Sequence, residues 1–188
     1  MAWEGKAEEK EKLAADAMAY VDHLYRLAFH LARDKDEAQD LVQETFARAL
    51  SSYKQFAPGS NMKAWLTKIL YNLFLDRYHE RRRWVSVEAE NFGQEEKSDY
   101  WERVPAENPG PESLLLIKEL NIKIADAVKK IPEEFRAAVL LVDMGDFSYA
   151  EAAEILSCPV GTVRSRLSRG RRLLYRLLRS YAGLKEKG

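Results

Sequence analysis

A chain of 188 residues, 46% hydrophobic and 32% charged, suits a soluble globular protein of one domain or two small ones. Its 30 basic and 30 acidic side chains cancel, which excludes a protein that coats nucleic acid by bulk charge. A single cysteine, Cys158, excludes an internal disulfide and a cysteine-based zinc site.

The N-terminus, MAWEGKAEEKEKLAADAM, is too charged for a secretory signal. No apolar run approaches the roughly 20 residues that span a bilayer, so the cytoplasm is expected and membrane insertion is not. From Leu13 to Arg33, Ala17, Tyr20, Val21, Leu24, Leu27, Ala28 and Leu31 recur at helical spacing and predict one amphipathic helix. Asp34 and Glu37 then form a predicted capping box. The helix they open turns Ala38, Leu41, Val42, Thr45, Phe46 and Ala49 inward and Asp36, Asp40, Gln43 and Glu44 outward. FAPGSN, residues 56 to 61, reads as a loop by its Pro-Gly step. A third helix is predicted from about Met62 to Arg83, burying Trp65, Leu66, Ile69, Leu70 and Leu73 and ending in HERRR.

Residues 84 to 112 break the periodicity. Trp84 to Glu119 holds nine acidic and three basic residues, and Pro105, Pro109, Gly110 and Pro111 mark the stretch as a flexible linker. Trp84, Phe92, Tyr100 and Trp101 suggest that parts of it dock on something. Helicity returns near Glu112, with Ile117, Leu120, Ile124 and Val128 on one face. Pro132 suits the first turn of a helix through PEEFRAAVLLVDM, and Ser148 with Glu151 makes another capping box. The expected fold is all-α: two small helical domains, residues 13–83 and 113–182, joined by the linker.

The stretch SYAEAAEILSCPVGTVRSRLSRGRRLL fits a helix-turn-helix. Ala152 and Ala153 permit the close crossing, Ser157-Cys158-Pro159 is the turn, and Ile155, Leu156, Val160, Val163 and Leu167 form the small core. Many such units carry glycine where Ser157 stands; serine there must accept a costly backbone. Thr162, Ser165, Arg166, Arg169 and Arg172 line the outer face of the second helix, flanked by Arg164 and Arg171. Between Pro159 and Ala182 there are seven arginines and no acid. An arginine gripping a guanine edge supplies about 1–3 kcal/mol of discrimination, and Gly161 lets the helix start approach a phosphate. A basic helix that merely faces water is the alternative, and the turn, the alanines and the buried stripe argue against it.

DEAQDLVQETFARAL with QFAPGSNMKAWLTKILYNLFLDRYHERRR resembles the second conserved region of bacterial sigma factors. PEEFRAAVLLVDMGDFSYAEAAEILSCPVGTVRSRLSRGRRLL resembles their fourth. Together with the short length, the pair resembles the extracytoplasmic-function group. The resemblance implies a protein that binds core RNA polymerase at the β′ clamp helices and the β flap. It also implies that the chain recognises promoter DNA and is held inactive by an anti-sigma factor. Asp36, Asp40, Gln43 and Glu44 match the clamp-docking surface. Phe56, Asn61, Lys63, Trp65 and Asn72 match the minus-10 reader, where an unstacked base must be captured. Arg77, His79, Arg81, Arg82 and Arg83 suit the adjoining phosphates. The second helix of the C-terminal unit, from Gly161 to Arg172, matches the minus-35 reader.

The linker is consistent with that division. Promoter elements two helical turns apart lie roughly 70 Å from each other. A relaxed coil of this length spans about 30 Å and an extended one roughly 95 Å. Without polymerase the two readers are not held apart, so the chain alone should bind DNA poorly. His23 and His30 read as packed or surface side chains, and no metal, cofactor or catalytic motif is visible. An enzyme is not expected. Two rivals stay open on the residues alone: a stand-alone helix-turn-helix regulator binding DNA without polymerase, and a helical adaptor that binds protein.

Overall fold

The computed structural model describes residues 2–57, 59–85 and 111–181. Where the periodicity predicts one helix from Leu13 to Arg33, the structure has two, α1 (Ala2–Met18) and α2 (Val21–Ala32). Tyr20 leaves the helical conformation at φ −104°, ψ 4°, and its amide donates to the Ala17 carbonyl at 3.0 Å. After the bend α1 packs on α3 and α4, whereas α2 reaches α5 and α6 of the C-terminal half as well. α2 ends on Arg33, at φ 64°, whose amide donates to the Phe29 carbonyl at 2.8 Å. Asp34 then opens α3 (Lys35–Ser51) by accepting from the Glu37 amide at 2.7 Å. The acids of the first turn suit the positive end of the helix.

A 3₁₀ turn (Tyr53–Gln55) and the Pro-Gly loop lead to α4 (Met62–Val85). Leu24, Leu31, Leu41, Leu66, Leu70, Leu73 and Phe74 are fully buried between α2, α3 and α4. Each contributes on the order of 1.5–3 kcal/mol through lost apolar exposure. Trp65, Ile69 and Phe46, expected inside, are half-buried at the margin. Of the segment 84–112, the first two residues finish α4 and the last two open α5 (Pro111–Lys129). Trp84, expected among the docking aromatics of the 84–112 linker, is therefore in α4, and the remaining residues 86 to 110, with Phe92, Tyr100 and Trp101, lie outside the described residues.

After α5, Pro132 stands one residue ahead of α6 (Glu133–Val139) rather than inside its first turn. The long helix expected over PEEFRAAVLLVDM widens into a π-helical turn at Leu140–Met144. Gly145 ends it, where a Cβ would meet the Leu141 carbonyl oxygen at 2.8 Å. Asp146, at φ 56°, then turns the chain so that Phe147 is buried. α7 (Tyr149–Ile155) begins with the complete Ser148–Glu151 capping box. Ser157 takes the left-handed backbone the turn demands, φ 49°, and α8 (Val160–Tyr181) follows. Ala152, Ala153, Ile155, Leu156, Val163 and Leu167 form the shared core as expected, but Val160 is exposed at the helix start. Gly170 sits where α6 crosses α8: a Cβ there would lie 2.7 Å from Val139 Cγ2.

The two halves pack on each other, with α2 and α4 against α5, α6 and α7. Tyr71 donates its hydroxyl to Glu133 at 3.1 Å. Phe147 meets the His23 ring edge-on at 5.7 Å between centroids. Arg136, 3% exposed, donates from Nη2 to the Leu31 carbonyl at 3.2 Å, while its Nε and Nη1 have no hydrogen-bond partner.

Candidate nucleic-acid interface

The helix-turn-helix presents its second helix outward because Val163 and Leu167 anchor the opposite stripe in the core. Gly161, Arg164, Ser165, Arg169 and Arg172 are exposed, and Thr162 is half-buried. A Cβ at Gly161 would meet nothing within 4 Å, so packing does not require this glycine. The Arg164 guanidinium lies over the Tyr149 ring at 5.6 Å, and Arg169 lies 5.9 Å from the Phe135 ring centre. Such stacking holds a planar cation in place while its edge stays open to a ligand. Arg166 is half-buried, 3.9 Å from Glu134. Arg171 differs from the rest: it makes paired bonds to Asp143, Nε at 3.0 Å and Nη2 at 2.5 Å. The Asp143 carboxylate holds its guanidinium above the usual range. Arg171 therefore binds α8 to the π-helical turn, a role that the run of arginines did not reveal.

The second group lies around the start of α4. Asn61 uses its amide oxygen to accept from the Ala64 amide at 3.1 Å and its Nδ2 to donate to Glu151 at 2.6 Å. Lys63 donates to the Gly145 carbonyl oxygen at 2.5 Å, with its ammonium 4.7 Å from the Phe147 ring centre. Phe56 and Trp65 pack against each other at 5.0 Å, both half-buried. Asn72 is exposed on the body of α4. The loop and helix thus gather Phe56, Asn61, Lys63 and Trp65 at one corner, and Asn72 stands further along. One N–H donor of Asn61 and one of Lys63 are engaged by the C-terminal half, and the Asn61 oxygen is engaged within α4.

On the outer face of α3, Asp36, Asp40 and Gln43 are exposed. Glu44 is not a free acid: it accepts from Arg77 at 2.7 Å and Arg48 at 2.9 Å. The Arg77 and Arg48 bonds hold its carboxyl below the usual range against the opposing effect of burial. Arg81 pairs with Glu37 at 2.5 Å. Glu37, Asp40, Arg77, Glu80 and Arg81 line one shallow groove between α3 and α4. The docking face and the phosphate arms expected from sequence are therefore neighbours joined by ion pairs. Glu37 and Glu80 were missed because no one-dimensional pattern shows which acids of α3 and α4 face each other. The Arg82 side chain lies outside the described residues.

Residues 17–84 match the family model for sigma-70 region 2, and residues 121–174 match sigma-70, region 4. Over 168 residues the chain is 39% identical to the ECF RNA polymerase sigma factor EcfG of Rhodopseudomonas palustris, covering 89% of this chain and 86% of that one. The chain belongs to the extracytoplasmic-function group of the sigma-70 family. It is also 40% identical over 155 residues to the ECF sigma factor SigE of Mycolicibacterium smegmatis, covering 82% of this chain and 57% of that longer one. Among solved structures, the sigma factor RpoE in complex with the anti-sigma factor NepR, from Bartonella quintana, superposes with a TM-score of 0.69. The two are 30% identical over 88% of this chain and 95% of the other. CnrH, solved with the cytosolic domain of CnrY, shares the fold at a TM-score of 0.57 and 22% identity. As a member of this sigma-factor group, the chain is a promoter-directed initiation factor and not a regulator that reads DNA without polymerase. Among the described residues, no helix is long and apolar enough to cross a membrane.

Proposed function

We propose that this sigma factor docks on the clamp helices of core RNA polymerase β′ through Asp36, Asp40, Gln43 and Glu44. Three of these are exposed on one face of α3, where they complement a basic partner and set register. The minus-35 element is read from α8 by Arg164, Ser165, Arg169 and Arg172, with Gly161 and Thr162 at the phosphate and Arg166 beside them. Arg171 supports that face from its Asp143 anchor. The minus-10 strand is captured at the corner holding Phe56, Asn61, Lys63 and Trp65, with Asn72, Arg77, Arg81 and Arg82 along α4. The C-terminal unit also contacts the β flap, and residues 86 to 110 carry the chain between the elements. The protein works in the cytoplasm with polymerase and catalyses no reaction itself. An anti-sigma factor holds it inactive, as the NepR complex of the Bartonella relative is consistent with.

The observation that carries this reading is the pairing of an exposed arginine face on α8 with a polar corner at α4 within one chain. Run-off transcription with core polymerase on genomic DNA tests it. Adding the chain should create new, mapped start sites preceded by two elements at a fixed spacing. If purified core polymerase neither retains the chain nor gains start sites from it, the reading is wrong.

A further inference from the structure

Tyr149 is the first residue of α7 and is 37% exposed, too open to serve the core that Ala152, Ala153 and Ile155 form behind it. Its ring lies under the Arg164 guanidinium, 5.6 Å from the ring centre to the guanidinium carbon. Arg171 stands seven positions further along α8, two turns on and on the same face. Tyr149 is close to it as well, and after Asp143 helps to hold the Arg171 guanidinium charged. The turn that carries the ring is fixed. Ser148 accepts from the Glu151 amide at 3.2 Å, and the Glu151 carboxylate accepts from the Ser148 amide at 2.9 Å and hydroxyl at 2.8 Å. On the far side, Asp143 fixes Arg171 through bonds of 3.0 and 2.5 Å.

We propose that Tyr149 is a positioning residue for minus-35 recognition, its ring face setting the plane of the Arg164 guanidinium before DNA arrives. The inference rests on the reading of α8 as the minus-35 reader. An arginine on an open helix surface samples many rotamers, whereas gripping the paired acceptors of a base edge leaves it one. A ring already stacked on its flat face removes part of that ordering cost and keeps the N–H edge of the fork free. Arg171 shows the contrast on the same stripe. Its fork is taken by a carboxylate, which holds it in place and withdraws it from reading, while Arg164 is held by its face alone. Tyr149 therefore acts through Arg164 and makes no base contact of its own. The ring face does the positioning, so phenylalanine can replace tyrosine here.

The test uses core polymerase loaded with the full chain, binding a fluorescent fragment of a promoter mapped by run-off transcription. A second set of fragments carries every single-base change in the minus-35 element. Tyr149→Leu keeps an apolar side chain on the first turn of α7 and removes the ring. It should weaken binding to the unchanged promoter about two- to fivefold, the worth of an exposed stack. It should also flatten the preference at the base position that Arg164→Ala flattens, and leave the other positions as in wild type. Tyr149→Phe should keep both affinity and preference. In an Arg164→Ala background, Tyr149→Leu should cost less than about twofold more, since the residue it serves is gone. A loss equal across all base variants would mark a phosphate contact or a merely structural role and overturns the proposal. Additive losses in the double variant, wild-type preference in Tyr149→Leu, or weak binding by Tyr149→Phe overturn it as well. An Arg164→Ala chain with wild-type preference at every position overturns the assignment of the α8 reader and the proposal with it, and that single variant tells the two failures apart.

Discussion

Arg171 and Asp143 face each other fork to fork, with hydrogen bonds of 3.0 and 2.5 Å joining the middle of α8 to the π-helical turn. Two-point geometry makes this pair specific, yet both partners touch water. An exposed pair is worth about 0.5–1 kcal/mol. Arg171→Ala should lower the melting temperature by a few degrees and weaken promoter binding evenly across minus-35 variants. Arg169→Ala should leave melting unchanged and relax selectivity at one base position, which a minus-35 mutant series would reveal. Equal melting for both variants would contradict the division.

Gly170 separates two opposing tendencies. Alanine is the better helix former by about 1 kcal/mol, but its Cβ would stand 2.7 Å from Val139 Cγ2 and 3.1 Å from the Phe135 carbonyl oxygen. A methyl can shift and a helix backbone cannot easily, so the crossing must open. Gly170→Ala is expected to destabilise the chain by about 1–3 kcal/mol. In a background of Val139→Ala, where the methyl is gone, the same substitution should cost clearly less. Urea unfolding of the four chains of that cycle measures the difference directly.

The chain's pattern showed helices well and their assembly poorly. The Ser148–Glu151 box, the alanines at 152 and 153 and the turn at Ser157 were readable because each is a local requirement of backbone chemistry. The break at Tyr20 was not, since no glycine or proline marks it and the apolar stripe runs on through it. Val160 looked like core by spacing, but it lies at the helix start, where the stripe has not yet reached the facing helices. The arginines of α8 were visible, but Arg171's attachment to Asp143 depends on a π-helical turn that widens an otherwise ordinary helix pattern. Most hidden of all was the contact of Asn61 with Glu151, 90 positions apart, because no periodicity links two halves joined by a long segment.

Ser157 carries its turn at φ 49°, where a Cβ is crowded. Ser157→Gly should stabilise the chain by about 0.5–1 kcal/mol, the relieved strain exceeding glycine's added unfolded-state freedom. Promoter selectivity should be unaltered, since the side chain is not among the proposed readers. A fall in melting temperature would show that the hydroxyl contributes more than the strain costs.

Burial, with Lys63 and Arg26 nearby and Asp146 opposing, pushes His23 down to about 4. Burial, with Lys129, Arg136 and Arg26 nearby, does the same to His30. Both imidazoles pack in the zone where α2 meets the C-terminal half. The folded chain thus binds fewer protons than the unfolded chain between about pH 6.5 and pH 4. Stability is full above that window and falls as the pH drops through it, by up to about 3 kcal/mol for the fully buried His30 and less for His23. Glu44 and Glu151, whose carboxyls are held low by Arg77 and by Ser148, lose their contribution only as pH falls further. Melting should decline from pH 7 to pH 5, and His30→Gln should flatten the slope by up to one proton.

Arg136 is the costliest charge between the two halves among the described residues. One of its nitrogens reaches Leu31 O, while Nε and Nη1 are buried with no acceptor. Each unmet donor costs roughly 1–3 kcal/mol, more than the about 1 kcal/mol that one made bond returns. Burial, reinforced by Arg33, also lowers its pKa to about 10. Unfolding rehydrates the guanidinium, so Arg136 costs the folded chain stability although it bonds α2 to α6. Arg136→Met fills similar space with no donors to leave unmet. It should raise the unfolding free energy by about 1–2 kcal/mol, measured in urea, with helix content unchanged. A variant that unfolds more easily would mean that the Leu31 bond, rather than the buried charge, decides the balance.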